Sequence, residues 1–213
     1  MHGLNKYFKL MYKDIIIQKG ILLLVVFYIL MPCFINNEMY KSSLFIVTNM
    51  MIVSEILFAN ISYFYVEEKS KGNLLLITTS YTRSDIAVSK YLFLMVLGFV
   101  QLLITYCIVY ANLGSQIVNL KNLYDFILNI LFLNITVAFV TPLCFFQFSA
   151  LAKTFVACMI YSVIECVPMV INFGRYTYCL SLNEIIFFSV LVSAVIVCGS
   201  IFVSNKIFKS RDL

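Results

Sequence analysis

What limits this chain most is a succession of about six apolar runs, each near the roughly 20 residues that cross a ~30 Å hydrocarbon core. They fall at 20–35, 44–66, 91–110, 126–148, 154–173 and 185–203. Backbone polar groups in lipid must be satisfied within the chain, so runs of this length predict helices. Composition agrees: 62% of the residues are hydrophobic and 12% charged, where soluble chains run nearer about half and about a quarter. The mean hydropathy is +0.98. The pieces between the runs are each too short to hold a soluble catalytic domain, so the energy this protein uses must come from a gradient or from a partner chain. The expected fold is an all-α polytopic membrane protein, one transmembrane domain over 1–213 with six spans.

Ahead of the first span the period changes. Leu4, Tyr7, Phe8, Met11, Tyr12 and Ile15 recur at helical spacing while Lys6, Lys9 and Lys13 share another face. That pattern predicts an amphipathic interfacial helix over 1–19, lysines toward the lipid headgroups and aromatics toward the acyl chains. The first span also lacks the small-x-small pattern of a cleaved leader at Met31-Pro32-Cys33-Phe34-Ile35.

Basic residues resist translocation, so their distribution predicts orientation. Of the 15 lysines and arginines, Lys6, Lys9, Lys13, Lys19, Lys69, Lys71, Arg83, Lys90, Lys153, Lys206, Lys209 and Arg211 fall on the side shared by both termini. Only Lys41, Lys121 and Arg175 fall on the other. Both termini are therefore expected in the cytoplasm, and the net charge of +5 reads as attraction to the anionic inner leaflet. Nucleic acid is not the expected partner, because the basic residues flank spans and form no separate patch.

Several chemistries are excluded. No phosphate-binding GxxxxGK[ST] loop, HExxH or GxSxG is present. The single histidine, His2, leaves no general base for a serine or cysteine nucleophile. The seven cysteines are scattered, with no CxxC pair, and read as small apolar residues rather than a disulfide or metal framework. Pro32, Pro142 and Pro168 lie inside expected spans and predict kinks.

Two acidic residues survive within the spans. Glu55 lies mid-way along the second and Glu165 deep in the fifth. No lysine or arginine falls in any expected span, so neither has an intramembrane cation to pair with, and burial favours the neutral acid. Thr48, Glu55 and Ser62 are seven apart and form one polar stripe; Cys158, Glu165 and Asn172 form another. Three roles fit them: a packing or subunit-interface hydrogen bond, a substrate-lining position, and a proton relay.

The outer connections, 36–43, 111–125 and 174–184, are short, whereas 67–90 forms the one substantial excursion on the basic side. Its first part is charged, with Glu67 and Lys71 four apart. An apolar patch of Leu74, Leu75 and Ile77 follows, and Ser84 or Asp85 is placed to cap the third span. An apolar patch framed by charge suits a docking element.

These residues resemble the ABC-2-type permeases, the membrane subunits of bacterial ABC exporters. Leu4-Asn5-Lys6 and Lys13-Asp14 resemble that family's interfacial helix. Glu67-Glu68-Lys69-x-x-Gly72, Leu74-Leu75, Thr82-Arg83-x-x-Ile86 and Lys90-Tyr91 resemble its most recognisable stretch, with Ser80 where the family has proline. Pro142, Phe148-Ser149 and Lys153 are also similar, with Ser149 in place of glycine. The resemblance implies a multi-pass subunit of the bacterial plasma membrane that pairs with a second copy or a sister permease. It implies two copies of a cytoplasmic P-loop ATPase, which bind the ATP and magnesium, so that this chain itself is no enzyme and holds no cofactor. It places the coupling segment at 67–85, with Glu67, Glu68, Lys71, Gly72, Leu74, Leu75, Ile77 and Arg83 as its contacts. Glu55, Glu165, Thr48, Ser62 and Asn172 would then lie on the translocation path or at the subunit interface. The expected cargo is a hydrophobic or cationic peptide, a bacteriocin or a drug; the rival expectation is the substrate-capture subunit of a vitamin importer.

Overall fold

The computed structural model describes residues 2–17, 26, 37–70, 81–113, 120–174 and 182–210. Among the described residues every regular element is helical. In chain order these are α1 (His2–Ile17), α2 (Asn37–Ser70), α3 (Arg83–Leu113), α4 (Leu120–Val140), a 3₁₀ segment (Thr141–Phe145), α5 (Ala150–Gly174) and α6 (Leu182–Lys209). Four described stretches are long and apolar enough to cross a bilayer: Thr48–Lys69, Arg83–Ile108, Asp125–Phe145 and Ile186–Lys209. α5 contributes a shorter apolar stretch, Ala150–Ile164. The chain is thus an all-α polytopic membrane protein, with four such stretches among the described residues. The expected first span, 20–35, lies outside the described residues apart from Val26.

α2 is the axis. It packs on α3, α4 and α5, and its crossing stretch is the most buried of the four, whereas that of α6 is almost wholly open. The middle of the bundle closes around Ile52, Ile56, Tyr91, Leu94, Leu102 and Leu133. The basic end closes around Phe64, Phe145 and Phe208. Leu151, Phe155, Met159 and Val163 repeat every four residues on α5 and are all exposed, which for a helix among lipid chains is an ordinary outward face. Gly98 permits the close approach of α3 to α4. A Cβ there would stand 2.3 Å from Leu133 Cδ1.

Pro142 produces a break where a kink is expected. The α-helix stops at Val140, tightens into the 3₁₀ segment and leaves it at Phe146 in extended backbone. Proline has no N–H, so the carbonyl four residues earlier loses its helical donor. That carbonyl, on Ala138, is hydrogen-bonded instead by the Ser200 hydroxyl of α6. Tyr91 of α3 joins the same group, its hydroxyl 2.5 Å from Ser200 Oγ and 2.8 Å from Ser204 Oγ. Three helices are fastened at the point where lipid offers no substitute donor. Ser149 then starts α5 as its cap, with Ala152 N–H donating to Ser149 Oγ at 3.3 Å. Pro168 lies within α5, which runs on to Gly174.

The fastening has a testable consequence. Ser200→Ala should lower stability by about 1 kcal/mol, read from thermal unfolding of the detergent-solubilised protein. Pro142→Ala restores a backbone donor to the Ala138 carbonyl, so the double variant should be less destabilised than the sum of the two single changes. Strict additivity would show that Ser200 does not replace the missing donor.

Candidate functional site

The polar residues gather in two layers, one at the basic end where α2 stops and α3 starts, the other midway along α2. At the basic end α2 does not stop at Val66 but continues through Ser70, so Glu67, Glu68 and Lys69 are its last turn. Tyr63 donates its hydroxyl proton to Glu67 Oε2 at 3.3 Å. Glu68 Oε2 accepts from the Ala150 N–H at 3.2 Å, a carboxylate at the positive end of α5. Lys71, Gly72, Leu74, Leu75 and Ile77 lie outside the described residues.

α3 starts on a capping box. Thr82, not Ser84, is the cap of α3: Asp85 N–H donates to Thr82 Oγ1 at 3.2 Å, and Thr82 N–H donates back to Asp85 Oδ2 at 2.9 Å. Asp85 therefore serves as the reciprocal partner rather than as the cap. It also pairs with Lys6 and accepts from Tyr7 Oη at 3.4 Å, which ties α1 to the start of α3. Arg83 turns toward its own chain. Its guanidinium donates to the Phe208 and Lys209 carbonyls, at 2.9 and 2.8 Å, and lies 5.9 Å from the centroid of the Phe208 ring. Those carbonyls are among the last of α6, which no helical donor reaches.

α1 keeps the expected apolar face open but turns two of its three face-sharing lysines toward the protein. Phe8, Tyr12, Ile15 and Ile16 are exposed, while Leu10 and Asp14 are buried. Lys6 and Lys13 consequently face the protein. Burial pushes the Lys13 ammonium below its usual range, with Asp14, 3.9 Å away, opposing the shift. Asp14 is drawn inward by Lys90, whose Nζ lies 2.6 Å from Asp14 Oδ1 in a charge contact rather than an aligned hydrogen bond. The same ammonium stands 3.5 Å from the centroid of the Tyr63 ring. Lys90 is 3% exposed and lies within the crossing stretch Arg83–Ile108. Lys90 immediately precedes the expected span 91–110, and a buried carboxylate and an aromatic face together replace its ammonium's water.

The second layer is uncharged but for one carboxyl group. Asn49 of α2 donates to Asn129 Oδ1 of α4 at 3.3 Å, and Asn129 in turn donates to Tyr106 Oη of α3 at 3.3 Å. Gln101 Nε2 donates to Thr105 Oγ1 at 3.4 Å. Further along α2, Asn60 donates to the Ile56 carbonyl and accepts from Cys144 Sγ. Of the expected α2 stripe, Thr48 and Glu55 are buried and Ser62 is half-buried, its hydroxyl turned back to the Ala59 carbonyl at 3.5 Å. The side chains of Glu165 and Asn172 lie outside the described residues. Asn49, Gln101, Tyr106 and Asn129 do not figure in the sequence stripes, although a polar residue within an apolar run is itself a visible signal. Both carboxyl oxygens of Glu55 are buried and have no hydrogen-bond partner. A buried acceptor left so costs about 1–3 kcal/mol.

The Asp14–Lys90 pair predicts an asymmetry. Asp14→Asn should destabilise by about 3 kcal/mol or more, since it strands a buried ammonium. Adding Lys90→Met should recover most of the loss in thermal unfolding. A double variant as unstable as Asp14→Asn alone would mean the two residues act separately.

Residues 9–209 match a protein family described as ABC-2 family transporter protein, while neither a curated protein nor a solved structure gave a match. The matched range takes in α2 to α6 whole and the buried end of α1, Asp14 included, but not Lys6 or Tyr7. The chain belongs to the ABC-2 family of transporter proteins.

Proposed function

We propose that this chain, a transmembrane permease subunit of an ABC transporter, works as half of an ATP-driven exporter of hydrophobic or cationic peptides, bacteriocins or drugs. The family match over 9–209 carries the reading. The family implies an ABC ATPase partner, and two copies of it are proposed, holding the ATP and magnesium and docking on 67–85. A second permease copy, or a sister permease, completes the path. Short outer connections, with no room for a receptor domain, support outward transport of a cargo taken from the membrane or cytoplasm. Both termini and 67–90 are assigned to the cytoplasm of a bacterial cell on the twelve-to-three distribution of basic residues.

In this reading force enters through 67–85. Glu67, Glu68, Lys71, Gly72, Leu74, Leu75, Ile77 and Arg83 form the coupling set: Leu74, Leu75 and Ile77 are the apolar anchor and the charges its rim. The ends of that segment bear on the rest of the bundle, since Glu68 meets the start of α5 and Arg83 the end of α6. Thr48, Glu55, Ser62, Glu165 and Asn172 are assigned to the translocation path or to the contact between permease copies.

Leu75→Asp should reduce the ATPase recovered per permease on affinity purification while membrane insertion persists. The triple change of Leu74, Leu75 and Ile77 to Asp should abolish recovery and substrate-dependent ATP turnover in liposomes. Unchanged association and turnover in the triple variant would remove the coupling role. In a Cys-free background, a cysteine placed at Lys71 should resist an impermeant maleimide applied to intact cells; labelling there would invert the orientation.

A further inference from the structure

The mid-bundle layer is lopsided in a way that packing alone does not require. Its atoms without a hydrogen-bond partner are all oxygens: Oγ1 of Thr48, Oδ1 of Asn49, both carboxyl oxygens of Glu55 and Oε1 of Gln101. Each of the four residues is no more than 1% exposed. The amide nitrogens of Asn49 and Gln101 are already engaged, with Asn129 and Thr105. Four of these five oxygens are carboxyl or amide acceptors, and the fifth, the Thr48 hydroxyl, can accept or donate.

The register of α2 and α3 brings Glu55 and Gln101 to one seam. Lys90 meets Tyr63, and a Cβ on Gly98 would come within 3.4 Å of Ile56 Cδ1, so the two helices run antiparallel with Gly98 level with Ile56. Gln101 stands three residues further along α3, about 4.5 Å, which is within a turn of the level of Glu55. It lies eleven residues from Lys90, about three turns, and hence on the side of α3 that meets α2. Glu55 flanks Ile52 and Ala59 on α2, about 60° and 40° around the helix from them, and those two share a core cluster with Leu94 and Leu102 of α3. Lys90 itself is about 16 Å from Gln101 along the helix and already held by Asp14 and Tyr63. No basic side chain of α2 or α3 reaches this layer among the described residues.

A guest that answers such a layer brings N–H donors and positive charge. An anion would meet the Glu55 carboxyl group with no basic side chain of α2 or α3 to answer it, and a purely apolar group would leave the oxygens as they are. We propose that the α2–α3 seam around Glu55 is a cation-accepting site that takes a primary ammonium or guanidinium group of the transported molecule. The assignment rests on the exporter reading and narrows its cargo to hydrophobic molecules carrying a cationic nitrogen. Glu55, ionised once a cation stands beside it, supplies the countercharge, and Gln101 a neutral oxygen within a turn of its level.

The test uses the permease with its co-purified ATPase in nanodiscs and two dansyl-labelled hydrophobic nonapeptides, one containing a single lysine, the other norleucine in its place. The wild-type complex should bind the lysine peptide about 10-fold more tightly, as a charge-assisted hydrogen bond provides. Glu55→Gln should bring the two affinities together, and Glu55→Asp, which keeps the charge, should preserve most of the difference. Gln101→Leu changes no charge and should narrow it about threefold; it decides the matter if Glu55→Gln fails to assemble. Equal affinities in the wild type, or undiminished discrimination in both Glu55→Gln and Gln101→Leu, would overturn the site. Discrimination that disappears when sodium chloride is replaced by choline chloride would also overturn it, by pointing to a metal cation instead. The exporter reading fails separately, if no ATPase co-purifies with the wild-type chain.

Discussion

Lipid offers no hydrogen bond, and the structure of this protein follows from where the chain finds substitutes for water. Helices settle the backbone, but each helix end and each proline reopens the question. At Pro142 the answer is Ser200 of α6; at the start of α3 it is the Thr82–Asp85 capping box; at the end of α6 it is the Arg83 guanidinium. Each substitute comes from another element or from a turn, so satisfying the backbone also fixes which helices meet. The fastening of α3, α4 and α6 through Tyr91, Ser200 and Ser204 is the clearest case, because it exists only where the Pro142 ring has removed a donor.

The same scarcity sorts the polar side chains into two kinds. At the basic end charges are matched within the chain: Asp14 with Lys90, Asp85 with Lys6, Glu68 with the α5 terminus. Such pairs contribute little net stability once desolvation is counted, but breaking one partner away is costly, so they resist rearrangement. Midway along α2 the balance reverses, and Glu55, Thr48 and Gln101 retain unmatched oxygens. One layer is thus fixed by its own contacts, and the other has interactions still to make.

Much of this is legible in the sequence, and the rest is not for identifiable reasons. Apolar runs near twenty residues announce the helices because the bilayer sets their length and little competes. The buried state of Thr48 and Glu55 follows from a polar stripe inside such a run. The inward turn of α1 does not: Lys6 and Lys13 read as headgroup ligands until Asp85 and Asp14 are known to stand beside them, and that pairing spans some eighty residues of sequence between Lys6 and Asp85. Pro142 is visible as a disturbance, but whether it kinks or ends a helix depends on Ser200, which lies on another helix. Thr82 is passed over as a cap because Ser84 and Asp85 offer equally good local chemistry, and only backbone geometry selects among the three.

The two layers are joined by rigid elements, which is what a coupled transporter requires. Glu55 and Glu67 lie on the same unbroken helix, twelve residues apart, a distance of about 18 Å. Gln101 and Arg83 share α3 in the same way. A displacement applied between residues 70 and 83 acts on two long levers whose mid-points carry the unmatched oxygens. The Lys90 contact with Tyr63 and Asp14 ties those levers together at the basic end, so sliding of α2 past α3 must first disturb that contact. A lever held at one end by a buried charge moves most at its far end, in the direction of Asn49, Gln101 and Thr105. In the exporter reading proposed above, α2 and α3 are the elements that connect 67–85 to the Glu55 layer.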